Sequence, residues 1–366
     1  MNKGPLITNN LHLNCKIYGE ISEFPTVIMD AGYGDYSKAW ESIYPAISKL
    51  TQVILYDRAG LGKSERSSNP RTSLFMVEEL RELLKRKNVL PPYILVGHSF
   101  GGVNMRLFNN LYPHEVVGLV LIDSTPEEYP ERFLPTMSEE FKEAYSKQFT
   151  HEGDFQEFME SLDQLKISNR ILDTPTLVLS AGKKAHYSKE SQALWNSMQE
   201  EILRFTTNGQ FILAENSSHY IQNDEPQLVI NTMERLIKSL SAIDFPNEQK
   251  IIDKDTLIDA LLKSWSNSTS SKWLLENPAK GQCGVTSLVV HEIIGGEILK
   301  TLMPEGWHFY NVKNGIRYDF TVSQFEKNIR YTDITSDRAE AFQDTTLNQY
   351  LTLTENVSKA IKGLEY

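Results

Sequence analysis

The sequence predicts an α/β fold over its first two-thirds, a mostly parallel sheet with helices on both faces, followed by a smaller α+β domain. Three observations predict it. Short apolar runs recur at 26–32 (TVIMDAG), 51–58 (TQVILYDR), 93–99 (YILVGHS), 116–124 (VVGLVLIDS), 174–182 (TPTLVLSAG) and 211–218 (FILAENSS). Stretches of helical period separate most of them, as around 74–86, 100–111 and 226–240. Near-continuous apolar strands joined by helical crossovers belong to a parallel sheet covered on both faces. Finally, 366 residues exceed one ordinary core, so two domains are expected.

The run at 93–99 drives into Gly97-His98-Ser99-Phe100-Gly101 and resumes as an apolar helix pattern. A strand-to-helix elbow this sharp strains its central residue, and glycines two before and two after leave room for it. The elbow therefore presents Ser99 as a nucleophile at the carboxyl end of a strand, where ligands bind in such sheets. Between Asp123 and Thr176 the connection is long. Phe141, Tyr145 and Phe149 fall at helical spacing, as do Phe155, Phe158, Met159, Leu162 and Leu165. A cap over the strand ends, about 124–173, is expected. Pro226 suits a first helical turn, and Leu228, Val229, Met233, Leu236, Ile237 and Leu240 follow it. A boundary is expected near 241–250, giving domains of 1–242 and 250–366.

The net charge is −11, from 37 basic and 48 acidic residues, which argues against nucleic acid as a partner. The segment 124–166 carries eleven acidic and four basic residues, which disfavours a strongly anionic substrate. Two cysteines, Cys15 and Cys283, allow no disulfide framework and no four-cysteine metal site. No run has the length of a signal peptide or a membrane span, so a cytoplasmic protein is expected. Nothing points to a metal or an organic cofactor, and oligomeric state has no sequence signal.

With three blocks in order, DAGYGDYSKAW (30–40), YDRAGLGKSER (56–66) and GHSFGG (97–102), residues from about 8 to 240 resemble the α/β-hydrolase fold superfamily, in its lid-bearing esterase and lipase-like branch. A serine needs an adjacent imidazole to take its proton. The resemblance puts that histidine after the last strand, where His219 stands. His98 is better read as packing beside the serine, and His151 and His186 as surface residues. The Phe100 N–H is one oxyanion donor. By resemblance the other is that of Tyr33, although the family more often has His-Gly where this chain has Ala31-Gly32. The commoner position of the acid, after the next-to-last strand, offers only Lys183 and Lys184. One strand earlier stands Asp123, used by some branches, with a turn or helix-cap role as its plainer alternative. Asp224 and Glu225 lie too close along the chain to His219. The elbow lacks the aspartate nucleophile of dehalogenases and epoxide hydrolases, so the resemblance implies a serine hydrolase acting on a carboxylic ester or related acyl compound, a small molecule. A small-molecule receptor or signalling module on the same fold is the alternative from another class.

In the last third, NPAKGQCGVTSLVVHEII places Cys283 where a loop gives way to an apolar helix. A helix N-terminus favours negative charge and hence a thiolate. Asn314-Gly315 signals a hairpin that pairs Lys313 with Ile316 and His308 with Thr321, leaving Asp319 on the face of His308. Such a Cys-His-Asp arrangement is similar to transglutaminase-like and papain-like thiol enzymes, and gives a third reading, a thiol activity. Its plain alternative is a buried helix-capping cysteine beside ordinary hairpin residues. His291 sits about 12 Å along the same helix and is a poor base. The blocks SSKWLLENPAKGQCGVTSLVV, GEILKT, EGWHFYN and RYDFT closely resemble the bacillus-type YunG family. This implies a fused module of Firmicute origin.

Overall fold

The computed structural model describes residues 11–185, 187–240 and 252–364. They form two compact units, 11–240 and 252–364. The expected boundary near 241–250 lies outside the described residues, as does His186.

The first unit holds seven strands: β1 (Cys15–Tyr18), β2 (Thr26–Asp30), β3 (Val53–Tyr56), β4 (Tyr93–His98), β5 (Val116–Ile122), β6 (Thr176–Ala181) and β7 (Gly209–Ala214). Their order is β1-β3-β2-β4-β5-β6-β7, with β1 antiparallel and the rest parallel. β1 has no counterpart among the predicted runs. It is a short edge strand with half-exposed residues, so it has neither a continuous apolar run nor a clean alternation. The chain turns outward from β2 to β3 and then runs the other way from β4. The crevice at that reversal opens beyond the carboxyl ends of β2 and β4.

Val27, Met29, Ile94, Val96, Val120, Ile122 and Leu179 pack from the sheet against Val229, Met233, Leu236 and Ile237 of the helix Pro226–Ser239. The long connection does two jobs. The helix Phe155–Ser168 opens on a capping box between Asp154 and Glu157 and packs on the helices Ser73–Arg86 and Phe100–Leu111, as a crossover does. Upstream, Tyr129 and Phe133 join Trp195 and Met198 in a separate cluster, and the helix Glu139–Lys147 has no buried residue.

The second unit is an antiparallel sheet of β8 (Glu297–Met303), β9 (Gly306–Lys313), β10 (Ile316–Tyr318) and β11 (Ile334–Ser336), in the order β10-β9-β8-β11. The helix Cys283–Ile294 packs on β9. Lys313 pairs with Ile316 around Asn314-Gly315 as predicted. The ladder then stops at Tyr318 opposite Asn311, so His308 does not pair with Thr321. His308 instead faces Thr301 of β8, and the chain after Tyr318 leaves the strand and turns. Among the described residues no helix is long and apolar enough to cross a membrane.

Candidate active site

Ser99 joins β4 to the helix Phe100–Leu111 with φ 52° and ψ −119°, a conformation L side chains rarely adopt. Its N–H donates to the Ile122 carbonyl at 3.1 Å, and its carbonyl accepts from Gly102 and Thr125, each at 3.0 Å. Close approach explains the glycines. A Cβ on Gly97 would stand 2.5 Å from Gly102 Cα, and one on Gly101 2.2 Å from the Asp30 carbonyl oxygen. Only a chain without these side chains can press the helix start so tightly against β2 and β4.

Asp123 follows β5 and is fully buried, with φ 43°. Its Oδ2 accepts from His219 Nδ1 at 2.6 Å and from Lys184 Nζ at 2.9 Å. Its Oδ1 accepts from Trp195 Nε1 at 2.7 Å and the Ala181 N–H at 3.0 Å. Burial pushes the carboxyl up, but the Lys184 charge and the His219 bond outweigh it and hold the group well below the usual carboxylate range. The carboxylate also assigns the tautomer of His219. The proton belongs on Nδ1, which leaves Nε2 as a proton acceptor. Burial first, and then the positive Lys184, hold the His219 imidazole below its ordinary pKa against the pull of Asp123. Lys184 Nζ stands 3.4 Å from His219 Nδ1.

The loop bearing His219 is tied from below. Asp224 Oδ2 accepts from the Ser218 N–H at 2.8 Å and hydroxyl at 2.5 Å, and Glu225 Oε2 from the Ser217 hydroxyl at 2.5 Å. His98 is fully buried, and its Nε2 lies 3.0 Å from the His219 carbonyl. Burial and the neighbouring His219 push its pKa down to about 3, so it is neutral and donates that bond. It fixes the backbone of His219 from beneath.

Opposite lies the turn after β2. A Cβ on Gly32 would stand 3.3 Å from Ser99 Cβ, so this turn lies against the serine. Arg58, 3% exposed, holds it from behind: Nη1 donates to Asp30 Oδ1 at 2.5 Å and the Ala31 carbonyl at 2.7 Å, and Nη2 to the Gly32 carbonyl at 2.7 Å. In a trans peptide the C=O and N–H point opposite ways. The Tyr33 N–H therefore points away from Arg58. The rest of the guanidinium forks onto Glu152, with Nε at 2.6 Å and Nη2 at 2.7 Å. The Tyr33 hydroxyl donates to the Gly153 carbonyl at 2.6 Å. Phe100 opens its helix, where an N–H has no intrahelical acceptor.

In the second unit, Cys283 is the first residue of its helix, half-buried, with Sγ 3.9 Å from the Trp307 carbonyl. His308 Nε2 stands 2.7 Å from Asp319 Oδ2. His308 and Asp319 meet by a turn beyond the strand rather than by a ladder pair, and Cys283 stands by the residue before His308.

Residues 25–166 match the family model described as alpha/beta hydrolase fold, and residues 253–362 match that of YunG protein. The chain is an α/β-hydrolase fold domain joined to a YunG domain. The hydrolase part is 36% identical over 206 residues to the uncharacterized protein YqjL of Bacillus subtilis (strain 168), spanning 56% of this chain and 80% of that one. The YunG domain is 50% identical over 104 residues to the uncharacterized protein YunG of the same organism, spanning 28% of this chain and 90% of that one. Among solved structures, alpha/beta hydrolase domain-containing protein 10 from mouse superposes with a TM-score of 0.51 at 18% identity, covering 66% of this chain and 98% of that one. Bacillus megaterium epoxide hydrolase does so with 0.51 at 15%, covering 64% and 99%. At those identities the likeness is one of fold.

Within the α/β-hydrolase domain, Tyr33, Ser99, Phe100, Asp123 and His219 all follow or cap the carboxyl ends of β2, β4, β5 and β7. Sequence reasoning missed Arg58, Glu152, Lys184 and Trp195 as part of this site. Arg58 was legible in YDRAGLG as a charge just after a buried strand. Trp195 lies on the separate helix Lys189–Glu201 and gave no local signal.

Proposed function

We propose that the α/β-hydrolase domain is a serine hydrolase acting on a carboxylic ester or related acyl compound through Ser99, His219 and Asp123. The observation that carries this reading is a strained elbow serine after β4, next to β5, whose following carboxylate is buried and bonded at 2.6 Å to an imidazole. Ser99 Oγ attacks the acyl carbon while His219 Nε2 takes its proton. Asp123, ionised throughout, holds the ring and stabilises the imidazolium. The N–H groups of Phe100 and Tyr33 receive the oxyanion, the second aimed by the grip of Arg58 on the Gly32 carbonyl. His219 returns the proton to the leaving alkoxide, and water attacks the acyl-enzyme by the same route. The acidic segment 124–166 favours neutral acyl compounds.

Exposure to a small fluorophosphonate tests the reading. Intact-protein mass is expected to rise by one adduct on the wild type and none on Ser99→Ala. A folded wild type that takes no adduct overturns it.

Lys184 gives a second expectation. Its charge disfavours the imidazolium of His219, so Lys184→Met raises the histidine's pKa. The base form is then lost at a higher pH, and the acidic limb of kcat/KM moves upward by about one pH unit. Initial rates on 4-nitrophenyl acetate across pH 5 to 9 read this. A limb that stays in place or moves down contradicts the electrostatic account.

A further inference from the structure

The YunG domain contains a second constellation that the serine mechanism does not use. Cys283 begins the apolar helix that packs on β9, and its half-buried sulphur stands by the residue before His308. His308 is 1% exposed, with Nε2 on Asp319 Oδ2 at 2.7 Å. That carboxylate is itself held: Oδ2 accepts from the Tyr331 hydroxyl at 2.8 Å, and Oδ1 from the Thr321 N–H at 3.1 Å. Phe325 sets its edge against the His308 ring, with centroids 4.9 Å apart. The other ring nitrogen, Nδ1, lies 3.4 Å from Gln324 Nε2, and Gln324 Oε1 accepts from the Gly281 N–H at 3.2 Å, two residues before the cysteine. A nucleophile, a base, an orienting carboxylate and a side-chain amide converge here from one helix start, one strand and one turn.

We propose that Cys283, His308 and Asp319 form a second active site that hydrolyses a carboxamide through a thioester, with Gln324 beside it as an oxyanion donor. The Cys283 thiolate attacks the carbonyl carbon and the C–S bond forms. The oxyanion faces the Gln324 amide and the Cys283 N–H, which as the first of its helix has no intrahelical acceptor. The C–N bond then breaks as His308 passes its proton to the departing amine. Water, deprotonated by His308, attacks the thioester; the C–S bond breaks, and a carboxylic acid and the thiolate result. An amide is the fitting class because an amine leaves only once protonated, and His308 has that proton at neutral pH. Burial alone would lower its pKa, but the Asp319 carboxylate bonded to it and the nearby Cys283 side chain raise it to about 9. Val322 is exposed at the start of this turn, whose Gln324 carbonyl accepts from Asn277. The Val322 side chain suits an apolar acyl group.

The test uses the full-length chain carrying Ser99→Ala, which removes the other nucleophile. Iodoacetamide alkylation of Cys283 is followed by peptide mass at pH 6, with glutathione in the same tube. Cys283 is expected to react at least about tenfold faster than glutathione, and His308→Gln to abolish the advantage. Asp319→Asn reads the same contact if the histidine variant does not fold. A folded protein whose Cys283 reacts no faster than glutathione overturns the site, as does an unchanged rate in both variants. N-acetyl-leucine 4-nitroanilide and the matching 4-nitrophenyl ester then decide the class. Anilide hydrolysis lost on Cys283→Ala supports it, and cysteine-dependent hydrolysis of the ester alone overturns it.

Discussion

Ser99→Ala is expected to lower kcat on 4-nitrophenyl acetate by about 10⁶-fold, with KM little changed. The loss is this large because nucleophile and base act as one unit, so removing either forfeits the covalent route. What survives is the contribution of the oxyanion donors and of binding, about 10³- to 10⁴-fold over water. The substitution removes a single oxygen from a residue whose φ of 52° is held by the hydrogen bonds of its own backbone. The fold should therefore lose less than about 0.5 kcal/mol. Steady-state kinetics beside urea unfolding separate the two effects. A variant that retains a tenth of the wild-type rate removes Ser99 from the mechanism.

Asp123→Asn is expected to reduce kcat by about 10⁴-fold, through a different cause. An amide at that position can donate to His219 Nδ1 and so turn the imidazole to the wrong tautomer, leaving no acceptor for the serine proton. It also removes the counter-charge of Lys184, whose side chain is only 10% exposed. Stranding a buried cation costs about 3–5 kcal/mol, so this variant should melt well below the wild type. The double variant Asp123→Asn/Lys184→Met discharges both partners. It is expected to recover most of the stability and none of the rate. Recovery of rate together with stability would show that Asp123 acts only by holding the structure.

Much of this was legible along the chain because parallel strands are buried on both faces and leave continuous apolar runs. Five of the seven strands of the first unit are buried runs; the edge strands β1 and β7 face partly into water, and β7 was still legible because its run Phe211-Ile212-Leu213-Ala214 is apolar, as β1 is not. Ser99 was visible because a strained elbow imposes glycine at two fixed neighbours. His219 depended on position relative to the last strand and on likeness to a family. Lys184 was noticed only for the carboxylate it displaces. Its bond to Asp123 needs the end of β6 beside that of β5, a relation between positions 61 residues apart. Asp319 was expected by the ladder and reached His308 by leaving it. Turn chemistry beyond a short strand has little period to read, whereas the Asn314-Gly315 turn itself requires positive φ at both residues and shows it, at 51° and 75°.

The grip of Arg58 also pins one side of the connection between β5 and β6 to the turn after β2. Glu152 and Gly153, which lead into the helix Phe155–Ser168, are bonded to Arg58, Tyr33 and the Gly34 N–H. Any swing of that root would drag the Gly32–Tyr33 peptide with it. The stretch before it is held differently: the helix Glu139–Lys147 buries no residue and meets its surroundings through the ring of Tyr145, which lies against Tyr129, Phe149 and Phe158. The long connection is thus fastened by charge at one end, to the turn that lies against Ser99, and rests on aromatic rings at the other.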